Sequence, residues 1–266
     1  MRLFKTLSLL AALTVGLVGQ TPAPAAPAPP APPPPPSLLG FALTGSTTLG
    51  SQYIFRGLTQ TNGKPMVQAE LDLVHPSGFY LSVASSNISW ITDSFSAGQV
   101  SAGVEVDVFG GYKWAITKDL TLDVGAYRYL YPGSYGSLGG YNPDTTEGYL
   151  GLSYSWVSLK YSLVLSKGNF GVINADGSSY LDLSLAIPLG ESGWTIQAHG
   201  GKTTYSGTGN SIYDYTDYKL GIATELKGYT LALAGTTADT KDAYYTNVLG
   251  RNIGKSRVTF TIAKAF

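Results

Sequence analysis

From Leu38 onward the chain alternates apolar and polar positions in short blocks. Val67, Ala69, Leu71 and Leu73 oppose Gln68, Glu70 and Asp72. Val104, Val106 and Val108 oppose Glu105 and Asp107, and Leu181, Leu183, Leu185 and Ile187 oppose Asp182, Ser184 and Ala186. A period of two gives a strand with two unlike faces. The pattern predicts twelve strands, at 41–55, 65–74, 79–87, 103–114, 120–130, 146–156, 158–166, 179–188, 194–205, 215–226, 228–237 and 256–266. Their length suits tilted strands that cross a bilayer, about 9–11 residues each.

A soluble β-sandwich also alternates, so the connections decide. Every second one is short: His75-Pro76-Ser77-Gly78, Ala115 to Asp119, a reversal around Val157, Leu189 to Gly193, and Lys227-Gly228. Those between are longer, at 56–64, 88–102, 131–145, 167–178, 206–214 and 238–255. Outer-membrane barrels sort their connections this way, with short periplasmic turns and long outer loops. The expected fold class is therefore all-β: a transmembrane antiparallel up-and-down β-barrel over 38–266, with both ends on the periplasmic side. Phe79, Trp114, Trp156, Trp194, Tyr229 and Phe266 fall at the predicted periplasmic ends, as an interfacial aromatic girdle requires.

The last strand, Arg257 to Phe266, places its large apolar groups on even positions and stops on an aromatic. A terminal strand of this form resembles the C-terminal signature of bacterial outer-membrane barrels, which implies that Phe266 serves as an assembly signal read by the barrel assembly machinery.

Composition agrees. Gly 33 and Tyr 19 are high, Cys is 0, and charged residues are 13%, about half the usual share. No run of 18 apolar residues follows the leader, which argues against a helical membrane protein. Zero net charge argues against nucleic acid as a partner. Expected partners are outer-membrane lipid and small solutes; oligomeric state is open.

Residues 1–20 read as a signal peptide, with Arg2 and Lys5 ahead of an apolar stretch from Leu7 to Val18 and small residues for cleavage between 19 and 26. Residues 21–37 are a Pro/Ala-rich linker. Proline lacks the backbone donor a sheet needs, so this stretch is expected to be an extended, disordered spacer. At ~3.1 Å per residue it would reach about 45 Å. A docking segment for a periplasmic partner is the other reading.

The run Gln52-Tyr53-Ile54-Phe55-Arg56-Gly57-Leu58-Thr59-Gln60-Thr61-Asn62-Gly63-Lys64-Pro65, followed by Gln68 and by His75-Pro76-Ser77-Gly78-Phe79-Tyr80, resembles the TorF family of porin-like proteins. Ser86-Asn87-Ile88 and Glu105-Val106-Asp107-Val108-Phe109-Gly110-Gly111-Tyr112 resemble it too. The resemblance implies an outer-membrane barrel and a channel, and it carries no substrate and no site residue.

On a first strand running to 55, Tyr53 and Phe55 face lipid and Arg56 falls on the lumen side at the outer end, where Gly57 and Gly63 permit a tight loop. Arg56 would then join Glu70, Asp72, Glu105 and Asp107 in an internal charge ladder, either as a filling salt-bridge network or as a constriction that sorts solutes by charge. Lumen parity assigns the acids Glu70, Asp72, Glu105, Asp107, Asp123, Glu147, Asp182 and Asp217, against the bases Arg56, Lys113, Lys160, Lys219 and Arg257. The surplus is acidic, which predicts weak cation preference. A bulge would flip part of this assignment.

Chemistry is sparse. His75 sits in a turn and His199 on a lumen face, and no Gly-x-Ser-x-Gly elbow accompanies them. Asn174-Ala175-Asp176-Gly177 lacks the further ligands of a calcium loop. No enzyme activity, catalytic residue, metal or cofactor is expected. The leading function is passive passage of small hydrophilic solutes. A closed barrel with a structural or surface-binding role is the alternative, favoured if Tyr127, Tyr129 and Tyr180 pack inward and Tyr244 and Tyr245 fold into the mouth.

Overall fold

A computed structural model describes residues 37–136, 138, 139 and 141–266. The proposed signal peptide and nearly all of the proline stretch lie outside the described residues. Twelve strands form the barrel wall: β1 Phe41–Gly50, β2 Met66–Val74, β3 Phe79–Asn87, β4 Val104–Ala115, β5 Leu120–Leu130, β6 Thr145–Tyr154, β7 Val157–Val164, β8 Ser179–Pro188, β9 Trp194–Thr204, β10 Tyr215–Leu226, β11 Tyr229–Ala238 and β12 Arg257–Ala265. Each pairs antiparallel with its chain neighbour, and β12 pairs with β1 through Thr261↔Gly50 to Ala265↔Ser46, closing the barrel. Phe266 completes the seam: its backbone and that of Gly45 exchange hydrogen bonds of 2.9 and 3.0 Å. Each of the twelve wall strands is thereby paired on both sides, the condition for a β-structure to span lipid, and the two residues Ser37–Leu38 add a short pairing with Phe41 and Ala42 ahead of β1.

The connections sort as expected. Reversals at 75–78, 116–119, 155–156, 189–193 and 227–228 occupy one end, and longer segments occupy the other. Lys227 and Gly228, at φ 51° and 74°, make the tight hairpin that their types predict. In the His75 turn the Ser77 amide donates to His75 Nδ1 over 3.2 Å, which is turn chemistry. The strand alternation also holds: on β2 Gln68, Glu70 and Asp72 are buried while Val67 and Leu71 are exposed. Phe79, Trp114, Trp156, Trp194, Tyr229 and Phe266 are all exposed at the short-turn end. A closed barrel with an apolar outer belt and an aromatic girdle is an integral outer-membrane protein.

The first strand is the main correction. It ends at Gly50, not at 55, and residues 51–65 turn into the barrel. Tyr53 and Phe55 do not face lipid; they are buried inside, at 1% and 7% exposure. Arg56 likewise reaches the interior from this inward loop rather than from the rim of β1. The loop holds a small hairpin, Ile54↔Thr59 and Phe55↔Leu58, whose corner is Arg56 and Gly57 at φ 45° and 76°. The physical reason lies in length. A strand over 41–55 exceeds the ~9–11 residues needed to cross the bilayer, and the apolar Tyr-Ile-Phe run finds its burial inside the barrel instead.

The inward loop sits under a lid of outer loops. Ser89 and Trp90 donate backbone hydrogen bonds to Gln60 O at 2.8 and 2.9 Å, and Thr59 N donates to Ile253 O at 2.9 Å. Tyr53, Phe55, Met66, Ile88, Ile91, Tyr127, Tyr129, Tyr131 and Tyr149 form one buried cluster. The apolar core of this protein is thus inside the barrel and biased to the β2–β6 side.

Candidate functional site: the barrel interior

The interior divides into two sectors. From β3 to β8 it is filled by aromatic rings. Phe109 and Tyr127 stack at 4.5 Å, Tyr127 and Tyr129 at 4.4 Å, and Phe55 meets Tyr129 edge-on at 5.6 Å. Tyr80, on β3, bonds Tyr149 and donates to Asp123 over 2.9 Å. In the half of β10 to β12 nearer the short turns a band of inward residues is small, Gly221, Ala223, Ala232, Ala234, Thr261 and Ala263, whereas Tyr215, Asp217, Lys219 and Arg257 share the inward face toward the other end. The small residues do not reach across the lumen.

The inward loop is clasped to the aromatic sector by charge. Arg56 grips Glu147 of β6 with both prongs of its guanidinium, Nη1 to Oε1 at 2.8 Å and Nη2 to Oε2 at 2.7 Å. The side chains are 7% and 2% exposed. The guanidinium also lies over the rings of Tyr180 and Phe55, with centroids at 4.2 and 4.8 Å. A planar fork against a planar carboxylate is the strongest pairing available to an arginine. Tyr53 donates to Glu105 of β4 over 2.7 Å. Gly57 presses on the opposite wall, where a Cβ would lie 2.5 Å from that of Asp217. The loop therefore crosses the lumen from β4 to β10.

The expected ladder of Arg56 with Glu70, Asp72, Glu105 and Asp107 does not form as such, because Arg56 pairs with Glu147 across the barrel. Glu70, Asp72, Glu105, Asp107, Asp182 and Asp217 are all buried and turned inward. Asp72 accepts from Ser82. Asp123, Lys113, Lys160, Lys219 and Arg257 are half-buried. Lys160 lies over Tyr149 at 4.0 Å and Lys113 over Tyr80 at 4.7 Å.

A second clasp was not legible in the sequence. His199 of β9 sits between two carboxylates, Nδ1 at 2.9 Å from Asp182 and Nε2 at 2.8 Å from Asp217. Tyr180 donates to Asp217 over 3.0 Å and Ser184 to Asp182 over 2.7 Å. Cross-strand register alone brings these groups together, because Asp182 pairs with Gly201, which pairs with Asp217. Gly201 makes room for Tyr180, whose oxygen would lie 2.0 Å from an added Cβ. An imidazole with a carboxylate on each nitrogen has no lone pair to offer a nucleophile, so the Ser184–His199 pair is not arranged as a base and its hydroxyl.

Tyr127, Tyr129 and Tyr180 pack inward, and Tyr245 is buried in the mouth, whereas Tyr244 stays exposed. The Asn174–Gly177 segment is a turn, with Asn174 and Gly177 at φ 50° and 78°.

The fold resembles that of solved outer-membrane porins. The NanC porin matches at 12% identity and a TM-score of 0.50, covering 84% of this chain and 98% of NanC. Pseudomonas aeruginosa OprD matches at 11% identity and a TM-score of 0.40, over 86% of this chain and 66% of OprD. Acinetobacter baumannii OccAB3 matches at 9% identity and a TM-score of 0.41, over 86% and 65%. The chain spans about two thirds of the length of these two larger proteins. A comparison with curated proteins found no match. The family model for Gcw_chp, described as a bacterial protein of unknown function, matches residues 37–266, and the chain belongs to that family.

Proposed function

We propose that the protein is a passive channel for small hydrophilic solutes, narrowed near its outer end by the inward loop 51–65. The observation that carries this reading is the lopsided interior. Eight strands enclose a space that side chains just fill, and twelve enclose more. Here aromatic groups fill one sector, while Gly221, Ala223, Ala232, Ala234, Thr261 and Ala263 leave the opposite wall recessed. The TorF-like sequence run and the porin-like fold agree with a channel. Arg56 and Glu147 act as the clasp that fixes the constriction; Glu105 holds the loop through Tyr53, and Glu70, Asp72, Asp107 and Asp123 fill the wall behind it. We read the protein as non-enzymatic, since the Ser184–His199 pair inside is tied up by carboxylates.

The alternative, a closed barrel with a structural role, draws on the interlocked outer loops and the aromatic core. Planar-bilayer recording of purified protein separates the two. Stepwise conductance that rises when the clasp is removed by Arg56→Ala supports the channel. Silence from both wild type and variant supports the closed barrel.

A further inference from the structure

The corner of the inward loop, gripped from one side by Glu147, is seated on the other against β8 and β10. Gly57 lies directly on Asp217: a Cβ built there would come 2.5 Å from the Cβ and 3.3 Å from the Cγ of Asp217. Arg56 lies over the Tyr180 ring at 4.2 Å. Tyr180 donates to Asp217 over 3.0 Å. The seat is thus a tyrosine ring and a carboxylate that are bonded to each other.

His199 stands behind both. Its Nε2 is 2.8 Å from Asp217 Oδ1 and 3.0 Å from the Tyr180 oxygen, and its Nδ1 is 2.9 Å from Asp182. One imidazole on β9 therefore ties β8 to β10 beneath the tip of the loop.

The two carboxylates do not depend on the imidazole equally. Asp182 accepts from Ser184 over 2.7 Å and lies opposite Lys160 of β7 in register. Lys219 of β10, opposite His199, is a further positive charge acting on Asp182. Asp217 is 1% exposed, and its ion pair is with His199. If the Nε2 donor is withdrawn, the buried Asp217 carboxylate must turn toward another donor. Gly57 stands against it, so the turn displaces the loop.

We infer that His199 is a positioning residue of the constriction: its Nε2–H fixes Asp217 and Tyr180, and these seat the tip of the inward loop. The effect on passage rests on the channel reading, whereas the seating of the loop rests on the distances alone.

Two substitutions separate the ring nitrogens. The amide nitrogen of glutamine takes the place of Nε2, and that of asparagine the place of Nδ1. His199→Gln keeps the donor to Asp217 and gives up the one to Asp182; His199→Asn does the reverse. Each is placed in a full-length chain carrying Ile54→Cys, a loop position 8% exposed in a protein with no cysteine of its own. The thiol is reacted with a water-soluble maleimide, and the same proteins are recorded in planar bilayers. Labelling should stay slow in the parent and in His199→Gln. It should be about tenfold faster in His199→Asn and His199→Ala, the effect of one buried acceptor left short of a donor. Unitary conductance should rise in the same two variants. Heat-resistant gel mobility checks that each barrel folds, and the glutamine–asparagine comparison stands without the alanine variant. Equal labelling of those two variants, or labelling unchanged in all three, overturns the inference and makes His199 a filler of the wall. The expected labelling without conductance from any variant keeps the seating role and overturns the channel reading.

Discussion

Removal of the Arg56 side chain should cost the barrel several kilocalories. The Arg56–Glu147 pair is bidentate, at 2.8 and 2.7 Å, and nearly shut off from water. Taking away one partner of a buried pair strands the other charge, at a cost of about 3–5 kcal/mol. Loss of the guanidinium from above Tyr180 and Phe55 adds ~1 kcal/mol. Backbone works the other way. Arg56 holds φ at 45°, a conformation that costs a non-glycine residue roughly 1–3 kcal/mol. Arg56→Gly should therefore be less damaging than Arg56→Ala, and the difference isolates the strain. Replacing both partners, as Arg56→Met with Glu147→Leu, removes the stranded charge and should recover most of the loss. Urea unfolding of purified barrel in vesicles measures each variant. If Arg56→Ala falls within about 1 kcal/mol of wild type, the value for a solvated surface pair, the clasp is not what holds the loop. If the double variant is as weak as the sum of the singles, the two residues are not coupled.

Three further outcomes are expected. Tyr53→Phe removes one donor to Glu105 and leaves Tyr131 as the other; it should destabilise by ~0.5–1.5 kcal/mol, the net worth of one hydrogen bond, and unchanged stability would show that the Tyr53 hydroxyl does not hold the loop. Cysteines at Gly136, Asn174 and Tyr244 should react with an impermeant label on intact cells while one at Ser77 stays silent, and the opposite pattern would invert the topology. Deleting Phe266 removes both backbone bonds to Gly45 and the ring that covers it; the amount in the outer membrane should fall and periplasmic degradation should rise, and normal membrane levels would refute an assembly role.

The period-two pattern, the alternating loop lengths and the aromatics at the short-turn ends were enough to determine a twelve-strand barrel with its girdle. Each is a local property: side-chain direction in a strand depends on parity, and turn residues such as Lys227-Gly228 carry their own geometry. Parity also placed Glu70, Asp72, Glu105, Asp107, Asp182 and Asp217 inside. It failed at Tyr53 and Phe55, because alternation continues past Gly50 while the wall does not. The overlength of that strand was the available signal. Only the closed structure decided which interior groups meet. Arg56 and Glu147 lie far apart in sequence, and His199 finds its two carboxylates through register across neighbouring strands. Exposure, too, belongs to the tertiary structure. At the positions of lumen parity the acids outnumber the bases, but most of those acids are buried by packing across the barrel, and that packing sets what remains open to a solute.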